Sequence, residues 1–208
     1  MNTVAQILDH KIIAIIRGVE PKNVLPVVES LYAGGIRIAE ITLNSEMALE
    51  LLGELSLKMK DKMLIGAGTV MDLKSAKKAI KQGARFIISP SMDLEVIQYV
   101  REKGTVMIPG AFTTTEIVTA YKAGADIIKV FPAPGPQYIK DLRGPIPYIP
   151  LMPTGGVDLT NLAAYQKAGA VAFGIGGSLV HANFQITEDS LKQLTLKAEQ
   201  FVQVLKMN

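Results

Sequence analysis

A lysine stands in the middle of the apolar run Asp126-Ile127-Ile128-Lys129-Val130-Phe131-Pro132. Charged side chains are almost never placed among bulky apolar neighbours unless a partner or a reaction keeps them there. Burial disfavours the ammonium form and pushes the amine toward the neutral state that can attack a carbonyl carbon and form a Schiff base. A structural role also fits, with the lysine snorkelling from a strand edge or pairing with a carboxylate. Glu40, within Ile38-Ala39-Glu40-Ile41, is a carboxylate in a comparable setting. Burial there raises its pKa and makes it usable both as acid and as base, the proton shuttle that Schiff-base chemistry requires. An ion pair with Lys129 or Arg17 that merely balances buried charge is the other use of such a residue.

More polar residues recur where apolar runs end: Arg17 after Ala14-Ile15-Ile16, Thr42 after Ile41, Thr69 after Gly66-Ala67-Gly68, Ser89 before Pro90, and Thr154 after Met152-Pro153. Two glycine clusters follow the last two runs, Thr154-Gly155-Gly156 and Gly174-Ile175-Gly176-Gly177-Ser178. Glycine lets backbone N–H groups approach an anion, and a helix N-terminus expected near Asp158 adds favourable dipole charge. Gly155, Gly156, Gly176, Gly177 and Ser178 are therefore predicted to bind phosphate, although tight turns also use glycine. His10 and His181 lie far apart with no H-x-x-H pairing, so no metal site is expected, and no cofactor is implied. The chain has no cysteine, which removes thiol nucleophiles and disulfides.

The elements that must hold these residues follow a repeated local pattern. Ala33-Gly34-Gly35, Gln82-Gly83-Ala84, Ala123-Gly124-Ala125 and Ala168-Gly169-Ala170 each read as a helix closed by glycine and followed by an apolar strand. Eight strands are predicted, Ile12 to Arg17, Arg37 to Leu43, Met63 to Gly68, Phe86 to Ser89, Val106 to Pro109, Ile127 to Phe131, Ile149 to Thr154 and Val171 to Ile175, with helical spacing between them. Such alternation fits an α/β chain folded as one (β/α)8 TIM barrel over residues 1–208, with a short N-terminal helix, Thr3 to Asp9, covering one end. An open dinucleotide-binding sheet is the rival, but Arg17-Gly18-Val19-Glu20 after the first strand lacks its G-x-G-x-x-G. Barrel active sites lie at the C-terminal ends of the strands, with phosphate commonly held after strands seven and eight.

The 208 residues are 49% hydrophobic, enough for one sizeable core. The apolar runs are far shorter than the roughly 18 residues of a membrane span. Without a secretory pattern at Met1 to His10, a cytoplasmic location is expected. A net charge of +3 with basic residues scattered among acidic ones gives no nucleic-acid stripe. The expected partner is a small molecule.

At these residues the sequence resembles the bacterial 2-keto-3-deoxy-6-phosphogluconate (KDPG) aldolases, also called 4-hydroxy-2-oxoglutarate (KHG) aldolases. The resemblance spans nearly the whole chain through Gly34-Gly35 leading to Glu40-Ile41-Thr42-Leu43, Gly66-Ala67-Gly68-Thr69-Val70, Ile88-Ser89-Pro90, Ile108-Pro109-Gly110, Lys129-Val130-Phe131-Pro132-Ala133 and Pro153-Thr154-Gly155-Gly156-Val157. It implies a metal-independent class I aldolase, usually trimeric, cleaving a phosphorylated 2-keto-3-deoxy sugar acid to pyruvate and glyceraldehyde 3-phosphate. It makes Lys129 the imine-forming lysine and Glu40 the acid/base. Thr69 would contact the pyruvate carboxylate, Thr42, Pro90, Phe131 and Thr154 would line the substrate site, and Gly155, Gly156 and Ser178 would hold phosphate.

One departure stands out. Many family members carry an arginine where this chain has Asn44, and Arg17 could supply the missing cation from across the barrel mouth. Leu43-Asn44-Ser45 and Gly135-Pro136-Gln137-Tyr138 resemble the phosphogalactonate-cleaving branch, while Thr42 and Thr154 favour the phosphogluconate branch. A barrel isomerase or epimerase, with Lys129 purely electrostatic, and a non-catalytic phosphosugar-binding protein are the other classes that suit these residues.

Overall fold

A computed structural model of the chain describes residues 2–182 and 184–207. Helix α1 (Thr3–His10) starts at Asn2, whose side chain accepts a hydrogen bond from the Ala5 N–H, and its buried Ile7 plugs one end of a curled parallel sheet. The strands are β1 (Ile12–Ile16), β2 (Ile38–Thr42), β3 (Leu64–Gly68), β4 (Phe86–Ile88), β5 (Val106–Ile108), β6 (Gly110–Ala111), β7 (Ile128–Val130), β8 (Leu151–Pro153) and β9 (Phe173–Ile175). They pair in two arcs, β5-β4-β3-β2-β1-β9 and β6-β7-β8, with every ladder parallel.

The arcs join at both ends. Thr154 bridges Gly174 and the Val171 N–H donates to the Leu151 carbonyl, which ties β8 to β9. On the other side β5 and β6 share one strand position, interrupted at Pro109, which has no N–H for the ladder but whose carbonyl accepts from Lys129 N–H, and β6 lies beyond the predicted end of that strand. The predicted Val106 to Pro109 strand therefore stops at Ile108 and resumes at Gly110, and the eight strand positions close into a barrel. Other predicted strands are trimmed by one or two residues at their ends.

Helices α2 (Pro21–Ala33), α3 (Ala48–Lys58), α4 (Leu73–Lys81), α5 (Leu94–Glu102), α6 (Thr114–Lys122), α7 (Pro136–Arg143), α8 (Leu162–Lys167) and α9 (Glu188–Lys206) surround the barrel. Gly35, Gly83, Gly124 and Gly169 take φ of +93°, +92°, +103° and +96°, as the repeated helix-closing pattern requires.

Strand alternation divides the apolar residues between two layers. Ile13, Ile38, Leu64, Phe86, Ile88 and Met152 pack with one another inside the barrel, while Ile12, Ala14, Ala39, Ile41, Ile65 and Ile87 pack outward under the helices. The same period turns Glu40, Lys129 and Thr154 inward, one layer above the apolar plug. The fold thus supplies a dry floor beneath its buried polar groups. Among the described residues, no helix is long and apolar enough to cross a membrane.

Candidate active site

Lys129 is only 3% exposed, held in β7 between Ile128 and Val130, whose side chains belong to the outer layer. Its Nζ lies 4.9 Å from the centroid of the Phe131 ring. Burial lowers the amine pKa; the Glu40 carboxylate opposes that shift and the Arg17 guanidinium reinforces it. Glu40, in β2 and 1% exposed, shifts the other way, because burial raises its carboxyl pKa against the pull of Lys129 and Arg17. Among the described residues, the ion pairs closer than 4.0 Å lie elsewhere, so neither Glu40–Lys129 nor Glu40–Arg17 is a closed pair. Glu40 Oε1 is buried with no hydrogen-bond partner, as is Thr154 Oγ1. Buried polar atoms without partners are rare in folded proteins, and these two sit in the layer that faces the barrel mouth.

A cavity of about 440 Å³ opens there. It begins at Arg17 and Lys129, passes Phe131 and Thr154, and ends between Gly155-Gly156 and Gly176-Gly177-Ser178. Ile15, Val157 and Val180 supply apolar wall. Gly155 and Gly156 adopt φ of +86° and +75°, a conformation that L side chains rarely take. Ser178 Oγ donates to the Val157 carbonyl at 2.6 Å and so ties the two glycine loops together. The helix expected near Asp158 begins at Leu162 instead. The Asp158 carboxylate accepts from the Thr160 and Asn161 N–H groups, so those donors are taken and do not face the cavity.

The remaining predicted positions lie off the cavity wall. Thr69 accepts a hydrogen bond from Arg17 Nη2 at 3.1 Å and has φ of +57°, unusual for a β-branched residue. The Thr42 hydroxyl, expected to face substrate, instead meets the Ile16 carbonyl at 3.2 Å and Ser45 Oγ at 2.9 Å, and Ser45 Oγ in turn accepts from Gly18 N–H. This relay pins the loops after β1 and β2 to each other. Sequence reasoning assigned Ser45 no such part, although its position three residues after a strand-end threonine is the signal that could have found it. Asn44 is exposed on the loop after β2, and Pro90 is half-buried after β4 with its carbonyl against Gly110. Ser89 is buried and its Oγ has no partner. Among the described residues no cluster of three or more His, Asp or Glu could hold a metal ion.

The sequence profile of the family described as "KDPG and KHG aldolase" matches residues 4–196. The 2-dehydro-3-deoxy-6-phosphogalactonate aldolase of Escherichia coli K12 is 34% identical over 198 residues, covering 94% of both chains. The 2-dehydro-3-deoxy-phosphogluconate aldolase of Treponema pallidum is 30% identical over 209 residues, covering 99% of both. Among solved structures, the KDPG aldolase of Legionella pneumophila "with pyruvate captured at low pH as a covalent carbinolamine intermediate" superposes with a TM-score of 0.81 at 28% identity, covering 98% of both chains.

Proposed function

Because the chain belongs to the KDPG and KHG aldolase family, we propose that it is a class I lyase that cleaves 2-dehydro-3-deoxy-6-phosphogluconate to pyruvate and glyceraldehyde 3-phosphate. Cleavage of 4-hydroxy-2-oxoglutarate to pyruvate and glyoxylate uses the same steps. The observation that carries this reading is the placement of Lys129, buried at one end of a cavity whose other end is formed by two glycine loops.

In the cleavage direction the neutral Lys129 amine attacks C2 of the keto acid, and Glu40 supplies the proton that lets the carbinolamine lose water. The protonated imine then accepts the electron pair of the breaking C3–C4 bond as an enamine, while the Glu40 carboxylate left by dehydration takes the C4 hydroxyl proton and the aldehyde departs. Glu40 returns a proton to C3, and water releases pyruvate from Lys129. Arg17 and Thr69 hold the carboxylate. Phe131 and Thr154 line the reacting carbons, while Thr42, Asn44 and Pro90 shape the mouth. The backbone N–H groups of Gly155, Gly156, Gly176, Gly177 and Ser178 take the phosphate. The imine is the electron sink, so the reaction calls for neither metal nor cofactor.

The phosphogalactonate substrate, epimeric at C4, is a second reading, favoured by the Escherichia coli relative's 34% identity over 94% of the chain. The 208 residues act as one domain in this reading, in the cytoplasm, on small molecules, without nucleic acid or membrane as partners. A homotrimer is supported by the family resemblance and by large apolar residues exposed at the mouth end, Met47, Met71 and Phe112 in the segments after β2, β3 and β6 and Leu94 at the start of α5.

Incubation with pyruvate and borohydride tests the covalent step. One reduced pyruvyl group per chain is expected, mapping to Lys129. Lys129→Arg keeps a long basic side chain but, always protonated, offers no imine-forming nucleophile, so it should abolish labelling and turnover together. Label on another lysine, or turnover surviving in Lys129→Arg, would sink the proposal.

A further inference from the structure

Above Leu64, the inward positions of β3 are Gly66 and Gly68, and each leaves room for a side chain from a neighbouring strand. A Cβ on Gly66 would meet the Phe86 ring at 2.4 Å. On Gly68 it would meet Glu40 Oε1 at 2.3 Å, Cδ at 2.6 Å and Cγ at 3.3 Å. Gly68 is not among the glycines with positive φ, so its backbone would accept any residue. The missing Cβ therefore has one evident use, to admit the Glu40 carboxyl. Among the described residues no hydrogen bond to Oε1 and no cation within 4.0 Å fixes that group.

We propose that Gly68 is a positioning residue for the acid/base chemistry: the notch it leaves in the barrel wall sets where the Glu40 carboxyl stands relative to the imine on Lys129. This rests on reading Glu40 as the proton shuttle. Steric containment replaces the hydrogen bonds that would otherwise hold a carboxyl in place and also lower its pKa. A side chain at this position pushes the carboxyl out of the notch, and a misplacement of about 1 Å costs an enzyme roughly 10²-fold.

The test is Gly68→Ala in the full chain, followed by hydrogen–deuterium exchange at C3 of pyruvate. The atoms that must yield are the end of a flexible side chain, so the variant should fold. Exchange is expected to fall roughly 10²-fold, with pyruvate KM nearly unchanged. Introduced into Glu40→Asp, whose carboxyl is drawn back by one methylene, the same Ala should cost less than about threefold. A merely structural glycine would not show that coupling.

Parental exchange in Gly68→Ala overturns the proposal, and so does an equal loss in both backgrounds. Should Gly68→Ala fail to fold, folding of Gly68→Ala/Glu40→Asp supports the proposal and failure of both variants overturns it. If the parent neither labels nor exchanges, the reading of the reaction has failed, and a crystal structure of Gly68→Ala decides the steric claim. A carboxyl moved by about 1 Å or more with β2 and β3 in place upholds it, and an unmoved carboxyl rejects it.

Discussion

Arg17 reaches from the end of β1, past the end of β2, to donate a 3.1 Å hydrogen bond from Nη2 to the Thr69 hydroxyl at the end of β3. Thr69 holds a φ of +57° there, a conformation that costs a β-branched residue of the order of 1 to 3 kcal/mol. Among the described residues the other guanidinium N–H groups make no further hydrogen bond, and they can meet an anion at the cavity wall that Arg17 helps to form. A cation orientated in advance by its neighbour is suited to a carboxylate, which it can grip with two donors at once.

Arg17→Ala should raise the KM for pyruvate in the condensation direction by about tenfold or more, the usual worth of a charge-assisted hydrogen bond. The rate at saturating pyruvate should change less, because the reacting carbon lies elsewhere. Arg17→Lys should recover only part of the loss, since a point charge cannot reproduce the planar fork. An unchanged KM in Arg17→Ala would return the residue to a purely structural role and leave Asn44 and Thr69 to hold the carboxylate.

The barrel and its chemical end were legible in the sequence because both depend on short-range rules. Glycine after a helix, an apolar run after glycine, and a polar residue where the run stops mark each βα unit, and period-two alternation places Glu40 and Lys129 on the inner surface. What sequence could not supply was the use of each polar atom. The Thr42 hydroxyl could have faced substrate or backbone, and only the approach of Ile16 and Ser45 decides for backbone. Asp158 could have opened a helix toward the phosphate loop. Its carboxylate turns instead onto Thr160 and Asn161, a contact between near neighbours that their types permit but do not compel. The Gly68 notch depends on how Glu40 leans across a neighbouring strand, which alternation alone does not specify.

Gly177 gives the phosphate site a clean test. A Cβ there would have nothing within 4 Å and needs no unusual backbone, so Gly177→Val should leave the melting temperature close to the parent's. Its side chain would stand among the donors proposed to hold the anion. The kcat/KM for the phosphorylated substrate should fall at least about tenfold, while 4-hydroxy-2-oxoglutarate, which has no phosphate, should be affected much less. Equal losses for both substrates would remove phosphate recognition from this end of the cavity.

Thr154 carries a buried hydroxyl with no partner, next to the cavity that begins at Lys129. Thr154→Val preserves shape and removes the orphan oxygen, so the free enzyme should be at least as stable as the parent. If that hydroxyl meets the substrate at C4, kcat/KM for the preferred C4 epimer should drop about tenfold and the discrimination between epimers should narrow. Unaltered discrimination would place the stereochemical choice elsewhere on the wall.

Glu40→Gln separates stability from activity through pH. The unfolded carboxyl titrates near 4.5, and burial raises the value in the folded protein. Between these two values the folded state keeps a proton that the unfolded state has lost, so stability falls as pH rises through that window. Above the folded value the native protein carries the full cost of an ionised carboxylate in the barrel. Below 4.5 both states are protonated and the cost vanishes. Glu40→Gln, isosteric and uncharged, should therefore melt above the parent at neutral pH, and the difference should shrink to nothing as the pH drops below that of the unfolded carboxyl. Proton exchange at C3 of pyruvate should meanwhile fall by roughly 10²- to 10⁴-fold, the usual worth of a positioned acid/base. Thermal melts of both proteins from pH 4 to pH 8, run beside the exchange assay, check the two effects independently. A variant less stable than the parent at pH 7 would mean that the attraction of Lys129 and Arg17 outweighs burial, and that Glu40 serves the fold as an ion-pair partner rather than as a strained acid/base.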